Sequence, residues 1–208
     1  MKKILITGAH SYIGTSVADY LARWPEKYAV DTLSVRGEKW KQADFSGYDA
    51  VFHVAGIAHA DVGHVSEEQK AEYYAVNRDL TLAVAEKAKA DGVGQFLYMS
   101  SAIVYGDSAP IGKRKVITKD TPVAPANFYG DSKVQAEKGL KKLESDAFRV
   151  AVLRPPMIYG PGSKGNYPTL SKMARKLPLF PKVDNQRSML YVENLAECVR
   201  LLIEQGIG

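Results

Sequence analysis

Apolar residues along the chain follow two spacings, and together they predict strands that alternate with helices. Short continuous apolar runs bounded by turn residues are typical of buried strands, and they occur at Lys3–Thr7, Tyr28–Leu33, Ala50–Ala55, Gln95–Ser100 and Phe148–Arg154. Apolar residues at helical spacing predict helices in the segment ending at Arg23 and over Glu67–Asp91, Ala126–Glu144, Tyr167–Lys176 and Val192–Gln205.

This alternation predicts an α/β fold, a doubly wound parallel sheet of the Rossmann type with helices on both faces. We expect this sheet domain over residues 1–156. The alternation weakens after Pro155, and residues 157–208 are expected to begin a second, small part that interleaves with that domain. The chain ends in "EQGIG" without a closing element, so the sequence predicts that this second part is truncated.

Composition and charge narrow the classes of function. The chain has 46% hydrophobic and 25% charged residues, which is typical of a soluble globular protein. It contains no stretch of the roughly 20 apolar residues that a membrane span needs. A single cysteine, Cys198, excludes an internal disulfide, and we expect a cytoplasmic protein that does not bind a membrane.

The net charge of +5 comes from lysines and arginines spread along the chain, with the densest cluster at Lys113–Lys115. This distribution argues against nucleic-acid binding, which needs a concentrated basic face, and it suits a small anionic substrate. His53, His59 and His64 cluster in the sequence. They do not form a closely spaced pair with a carboxylate as third ligand, so no metal site is predicted.

The segment "ITGAHSYIG" predicts a strand that turns into a helix through a glycine loop. Backbone N–H groups at a helix N-terminus bind a pyrophosphate when no side chain is in the way. Gly8 and Gly14 occupy two of the three glycine positions of a dinucleotide loop, and Ser11 occupies the third. Taken alone, the loop leaves two interpretations open, a nucleotide site and an ordinary turn.

Tyr129 and Lys133 in "YGDSK" lie four residues apart and therefore share one helix face. A phenol has a pKa of about 10, and a nearby ammonium lowers that pKa, which would let Tyr129 exchange a proton with a sugar or alcohol hydroxyl. Ser100 and Ser101 follow a predicted strand at the same edge of the sheet. A pair with this spacing is also expected by chance, and strand-end serines also act as caps.

Seven segments in this order resemble one family: "TGAHSYIG", "VFHVAG", "YYAVNRDLT", "MSSAIVYG", "YGDSK", "LRPPMIYGPG" and "RSMLYVENLA". They resemble the extended short-chain dehydrogenase/reductases, specifically the NAD-dependent epimerase/dehydratase family that acts on nucleotide sugars. The resemblance implies Ser101, Tyr129 and Lys133 as catalytic residues. Tyr129 would be the acid and base, while Lys133 would bind the nicotinamide ribose and lower the Tyr129 pKa.

The resemblance also implies that residues 1–156 bind NAD(P) and that residues 157–208 begin the substrate-binding region, and it implies individual residues for each role. Those for the cofactor would be Gly8, Ser11, Tyr12, Ile13, Gly14, Arg36, Asp44, Phe45, Val54, Ala55, Gly56, Asn77, Ser100, Tyr129, Lys133, Pro155 and Pro156. Those for the substrate would be His59, Ser101, Tyr129, Asn166 and Arg187. The helices over Glu67–Asp91 and Ala126–Glu144 would pair across a homodimer, with packing inside one subunit as the alternative.

The implied reaction is C4 epimerisation of a nucleotide sugar of the UDP-glucose or UDP-N-acetylglucosamine class, through a 4-keto intermediate and with NAD as cofactor. Ala102 and Ile103 replace the acidic pair of the family's dehydratases, which argues against dehydration. Met157 stands where many epimerases have an asparagine. Because Arg36 follows the second strand, NADP and a keto-sugar or carbonyl reductase remain an alternative. A non-catalytic NAD(P)-binding regulator is a second alternative.

Overall fold

The computed structural model describes residues 1–58, 65–110, 112–163, 166–178 and 186–208. Its strands are β1 (Lys2–Thr7), β2 (Tyr28–Leu33), β3 (Ala50–His53), β4 (Gln95–Met99), β5 (Arg149–Leu153), β6 (Met157–Tyr159) and β7 (Met189–Tyr191). Its α-helices are α1 (Tyr12–Leu21), α2 (Glu67–Tyr74), α3 (Thr81–Ala90), α4 (Phe128–Leu143), α5 (Asn166–Lys176) and α6 (Val192–Gln205). None of the described helices is long and apolar enough to cross a membrane.

Five strands form one parallel sheet in the order β2-β1-β3-β4-β5. In register, Ile6 of β1 lies between Thr32 of β2 and Phe52 of β3. From β1 the chain continues to β2 on one side, and from β2 it crosses to β3 on the other side of β1. The strand order therefore reverses between β1 and β3. A crevice forms at such a reversal, at the carboxyl ends of the strands, and ligands of open α/β sheets bind there. The predicted parallel Rossmann-type sheet is confirmed.

The sheet is buried on both faces, which is why its strands read as continuous apolar runs. Alternate strand residues such as Ile4 and Ile6 contribute to one core cluster, with side chains of α1 and α6. Their neighbour Leu5 contributes to the other cluster, with side chains of α3 and α4. This alternation follows from the two-residue period of a strand.

Two features of the fold differ from the sequence prediction. The single helix expected over Glu67–Asp91 is interrupted by a π-helical turn, Ala75–Leu80, between α2 and α3. The short strands β6 and β7 form a separate parallel pair, in which Tyr159 lies opposite Tyr191. Strands of three residues carry no periodic signal, and about 30 intervening residues separate these two. The domain division at residue 156 stays a prediction.

Candidate functional site

The glycine loop after β1 forms a close-packed turn into α1. Gly8 has φ +110°, and a Cβ at this position would lie 2.9 Å from the backbone nitrogen of Ala55, so both conformation and space require glycine. Ser11 is the N-cap of α1, and its hydroxyl accepts a hydrogen bond from the Gly14 amide at 2.9 Å. The loop therefore opens the N-terminus of a helix beside the end of β3, an arrangement that suits a phosphate.

The loop residues Tyr12 and Ile13 lie in the first turn of α1. Ile13 packs against the core. The Tyr12 hydroxyl is buried and has no hydrogen-bond partner within the described part of the chain. It faces Gly160, where a Cβ would lie 2.8 Å from the phenol oxygen. Burial, together with the nearby Tyr191, raises the pKa of Tyr12, so at neutral pH this hydroxyl is a donor.

Ser101 and Tyr129 come together at the carboxyl edge of the sheet. Helix α4 begins after Asn127, whose side chain caps it by accepting from the Gly130 amide at 3.0 Å, and this places Tyr129 in the first turn. Burial raises the pKa of Tyr129, and the neighbouring Ser101 side chain partly offsets that rise. The Tyr73 ring lies edge-on to Tyr129 with 5.9 Å between centroids.

Lys133 lies one turn further along α4 and is 5% exposed. Its ammonium donates to the Met99 carbonyl at 3.1 Å and lies 4.9 Å from the centroid of the Tyr98 ring. Burial lowers the pKa of Lys133 to about 8, against the opposing charge of Glu137. Burial is the largest influence on the Tyr129 pKa, and the Lys133 ammonium is bonded to a backbone carbonyl. That Lys133 lowers the Tyr129 pKa stays a prediction.

The two serines after β4 have different partners. The Ser100 hydroxyl is buried and donates to the Glu137 carboxylate at 2.5 Å. Ser101 begins the 3₁₀ turn Ala102–Tyr105, and its hydroxyl accepts from the Ile103 amide at 3.3 Å. Of the two, Ser101 is therefore the one that faces Tyr129. Pro155 lies beside this turn, because its carbonyl accepts from the Ala102 amide at 2.9 Å, and Pro156 follows it.

Asn77 fastens the segment after β3 to α4. It is fully buried in the π-helical turn, a helix irregularity that is frequent at functional sites. Its side chain bonds both backbone groups of Ile57, at 2.9 and 3.1 Å, and donates to the Ser132 hydroxyl at 3.2 Å. The predicted contact between Asn77 and a cofactor stays a prediction. Through its bonds to Ile57, Asn77 positions the segment that follows Val54, Ala55 and Gly56.

Gly56 links the glycine loop with the Tyr129 side of the crevice. A Cβ on Gly56 would lie 3.0 Å from Asn77 Oδ1 and 3.1 Å from Lys133 Nζ. Val54 contacts the position of Gly14, where a Cβ would be 3.0 Å from Val54 Cγ2. The residues predicted on three separate stretches of sequence thus lie next to one another, from the glycine loop through Val54 and Gly56 to Lys133.

Residues 32–37, at the carboxyl end of β2, include Arg36 and no acidic residue. Asp31 lies within the strand and accepts a hydrogen bond from the Tyr48 hydroxyl at 2.9 Å. Beyond the strand, Ser34 and Arg36 are exposed. An acidic residue here would bind the 2′-hydroxyl of NAD, whereas an arginine accommodates the 2′-phosphate of NADP.

Asp44 and Phe45, predicted beside the adenine, differ in accessibility. Asp44 is exposed and accepts from the Ser46 amide at 2.8 Å, which lowers the Asp44 pKa. Phe45 is fully buried in the core, with the Lys87 ammonium 5.0 Å from its ring centroid. The Phe45 amide donates to the Asp91 carboxylate at 3.0 Å, and the predicted contact of Phe45 with a cofactor stays a prediction.

Besides Ser101 and Tyr129, the predicted substrate residues are Arg187, His59 and Asn166, and only Arg187 has a described side chain. Arg187 is exposed two residues before β7. His59 lies outside the described residues, and Asn166 begins α5 with its side chain outside the description.

His53 is fully buried and bonded to Thr7 and Thr81 at 2.7 and 3.1 Å. Burial lowers the His53 pKa to about 3, so this histidine is a neutral core residue.

A partly buried ion pair behind the site is absent from the sequence prediction. Glu137 of α4 is 8% exposed. Its carboxylate accepts hydrogen bonds from Arg154 Nη2 at 2.6 Å and from Arg154 Nε at 3.1 Å. Its spacing carries a signal, since Glu137 follows Lys133 by four residues and Tyr129 by eight, on one helix face. Arg154 directly follows β5.

Comparisons with known proteins agree with this arrangement. The family model described as "NAD dependent epimerase/dehydratase family" matches residues 4–207. The chain is 31% identical to a UDP-glucose 4-epimerase of Vibrio cholerae, covering 98% of this chain and 67% of that protein. It is 28% identical to an N-acetyl-alpha-D-glucosaminyl-diphospho-ditrans,octacis-undecaprenol 4-epimerase of Escherichia coli O157:H7, covering 95% of this chain. It spans only 62% of the length of that second relative.

Solved structures share the fold and differ in their cofactors. A UDP-glucuronic acid 4-epimerase from Bacillus cereus, in complex with UDP-glucuronic acid and NAD, superimposes with a TM-score of 0.76 at 20% identity over 97% of this chain and 73% of that chain. The structure of RMD from Pseudomonas aeruginosa complexed with NADPH gives a TM-score of 0.71 at 26% identity, over 98% and 74%. With its parallel sheet, its glycine loop and the match over almost its whole length, the chain belongs to the NAD-dependent epimerase/dehydratase family.

Proposed function

We propose that this chain carries the cofactor-binding and catalytic part of an NAD-dependent C4 epimerase of nucleotide sugars, of the UDP-glucose or UDP-N-acetylglucosamine class. The observation that carries the proposal is the pairing of Ser101 with Tyr129 at the end of β4, next to Lys133 and the glycine loop. The 4-epimerases among the relatives support the same reaction. The proposed setting is a homodimer in the cytoplasm.

The residues of the crevice fit a dinucleotide. No Cβ fills the turn at Gly8. Ser11 caps the Gly14 amide, so the other N–H groups in the first turn of α1 would bind the pyrophosphate. Because Gly56 has no side chain, its backbone lies close to the Lys133 ammonium, which would hold the nicotinamide ribose. When bound, the nicotinamide would supply the hydride acceptor and donor, while the protein supplies orientation and charge.

Tyr129 and Ser101 would handle the proton of the sugar 4-hydroxyl. In the proposed oxidation, Tyr129 removes that proton while the Ser101 hydroxyl holds the same oxygen, and in the return step Tyr129 gives the proton back. Because burial raises the Tyr129 pKa in the described structure, the phenol is protonated at neutral pH and ready for the return step. Removing a proton requires a positive charge close by, and the Lys133 ammonium is the nearest candidate on the same helix face.

Replacing Tyr129 by phenylalanine tests the proposal. We expect turnover between the two C4 epimers, followed by NMR, to fall by about 10²- to 10⁴-fold, the usual contribution of a positioned acid and base. Dinucleotide affinity, measured by fluorescence titration, should stay unchanged, because the phenol oxygen is all that is lost. Retained turnover together with lost dinucleotide binding would contradict the assignment.

The end of β2 favours a second candidate, a reductase of a keto-sugar or similar carbonyl that uses NADPH. Arg36 lies just beyond β2, and Asp31 is bonded to Tyr48. We expect Arg36→Ala to weaken NADPH binding by about tenfold, as the loss of one charge-assisted phosphate contact does, and to leave NADH binding unchanged. Lys39→Ala, a nearby exposed cation, is the matched control.

Cofactor consumption separates the two candidates. An epimerase returns its hydride in every cycle, so added NADPH or NADH persists. A reductase consumes one NADPH for each carbonyl reduced. Steady loss of absorbance from NADPH with a 4-keto nucleotide sugar, and absence of epimerisation, would select the reductase.

A further inference from the structure

The Glu137 carboxylate connects three parts of the site at once. It lies on α4, two turns after Tyr129 and one turn after Lys133. One of its oxygens accepts from the Ser100 hydroxyl at the end of β4, and both oxygens accept from the Arg154 guanidinium after β5. Within the protein interior, hydrogen bonds between charged groups are about twice as strong as neutral ones.

The segment that carries Ser101 is anchored at both ends by this ion pair. Before Ser101, the Ser100 hydroxyl is bonded to Glu137 at 2.5 Å. After it, the Tyr105 hydroxyl accepts from Arg154 Nη1 at 2.9 Å, and the guanidinium lies 5.3 Å from the Tyr105 ring centroid. Ser101 is therefore held relative to α4, the helix that carries Tyr129.

The same carboxylate lies close enough to Lys133 to affect its charge. Its negative charge opposes the burial that lowers the Lys133 pKa. Other groups face these residues from each neighbouring element: Arg154 after β5, Tyr105 of the 3₁₀ turn, Tyr98 of β4, His53 of β3 and Tyr129 of α4. Among them Glu137 is the one group that carries a negative charge.

We propose that Glu137 is a positioning residue, which holds Ser101 opposite Tyr129 through Ser100 and through the Arg154–Tyr105 contact. One turn along the same helix face, its carboxylate also favours the charged form of Lys133. The proposal rests on the proposed function for its catalytic consequence. Glu137 acts through its neighbours, because its carboxylate oxygens are bonded to Ser100 and Arg154.

The first test is the activity of Glu137→Gln, which keeps the shape and removes the charge. We expect kcat to fall by about tenfold to a hundredfold, the usual cost of misplaced catalytic groups, with a smaller change in the KM of the sugar nucleotide. The alkaline limb of the pH profile of kcat should move to lower pH by about one pH unit, because Lys133 loses its proton more readily without the nearby carboxylate.

The matched control is Glu197→Gln on α6, which also removes a carboxylate from an arginine pair, with Arg200, far along the chain from the site. It should change neither kcat nor the pH profile. Ser100→Ala and Tyr105→Phe each remove one anchor of Ser101 and keep the ion pair, so they serve if Glu137→Gln does not fold. Each should lower kcat by about threefold or more, which corresponds to a partial loss of orientation.

The second test needs no activity, and it measures the free energy of unfolding in urea from pH 6 to pH 10.5. The folded pKa of Lys133, about 8, is below the ordinary value of 10.5, so the unfolded chain binds more protons between these values and stability rises with pH there. In Glu137→Gln this rise should begin about one pH unit lower. In a Lys133→Met background the substitution should no longer change the pH dependence.

These tests separate the two proposals. If the wild-type chain shows no turnover, the proposed function fails, and the unfolding measurement decides on Glu137 alone. If the pH dependence of unfolding is the same in Glu137→Gln and wild type, Glu137 does not set the charge of Lys133. If kcat per folded molecule is also unchanged, its role is confined to stability and the proposal is overturned.

Discussion

At the scale of single residues, the structure assigns the site's side chains to distinct tasks. Ser101 faces Tyr129, whereas the adjacent Ser100 faces Glu137. Asn77 holds the backbone of Ile57. The sequence identified these positions by motif, yet adjacent residues in a motif point in different directions, so their tasks depend on which elements pack around them.

Ser11 illustrates how a motif residue acquires a structural role. Its hydroxyl oxygen accepts from the Gly14 amide and so caps α1. We expect Ser11→Ala to lower the free energy of unfolding by about 1 kcal/mol and Ser11→Gly by only a few tenths of that, the usual values for an N-cap. Urea denaturation measures both.

The same two variants examine the phosphate contact. The Ser11 hydroxyl still has its proton to donate, so Ser11→Gly should leave dinucleotide affinity unchanged or weaken it. A large gain in affinity would indicate instead that the serine side chain crowds the pyrophosphate.

At the scale of elements, α4 is the element that organises the chemistry. It carries Tyr129, Lys133 and Glu137 on one face and packs against β4, β5 and the 3₁₀ turn through them. Its close approach to that turn depends on Gly130, where a Cβ would lie 3.1 Å from the Ile103 carbonyl oxygen and 3.0 Å from Pro125 Cβ.

Gly130→Ala should therefore move Tyr129 away from Ser101. We expect kcat to fall by about tenfold, since small displacements of reacting groups are costly, with little loss of dinucleotide affinity. Gly139→Ala on the same helix is the control. There the added methyl meets only the movable Leu82 side chain, so kcat should stay at the wild-type value. Equal effects of the two substitutions would contradict this role for Gly130.

At the scale of the whole molecule, the helices predicted to form a homodimer already contact each other within one chain. The Tyr74 hydroxyl donates to Asp131 at 2.8 Å, and Arg78 donates to Gln135 at 2.8 Å. These contacts join the α2–α3 region to α4 within one chain, while the homodimer stays a proposal.

The proposed homodimer predicts a mass of twice 22.8 kDa in sedimentation equilibrium. Glu72→Arg, a charge reversal on an exposed position of α2, should shift the population toward the monomer if α2 lies in the interface. Glu26→Arg, in the exposed turn before β2, is the control. A monomer at all concentrations would contradict the prediction.

The sequence by itself determined the parallel sheet, the bounds of most strands and helices to within a few residues, and the stretches from which the site is built. These features depend on local periodicity and on residues close in the chain. The tertiary structure alone decided the partners of Ser100, Asn77 and Glu137, the raised pKa of Tyr129 and the pairing of β6 with β7. Each of these depends on contacts between residues that lie apart in the chain, and on burial, and a linear pattern of residue types records neither.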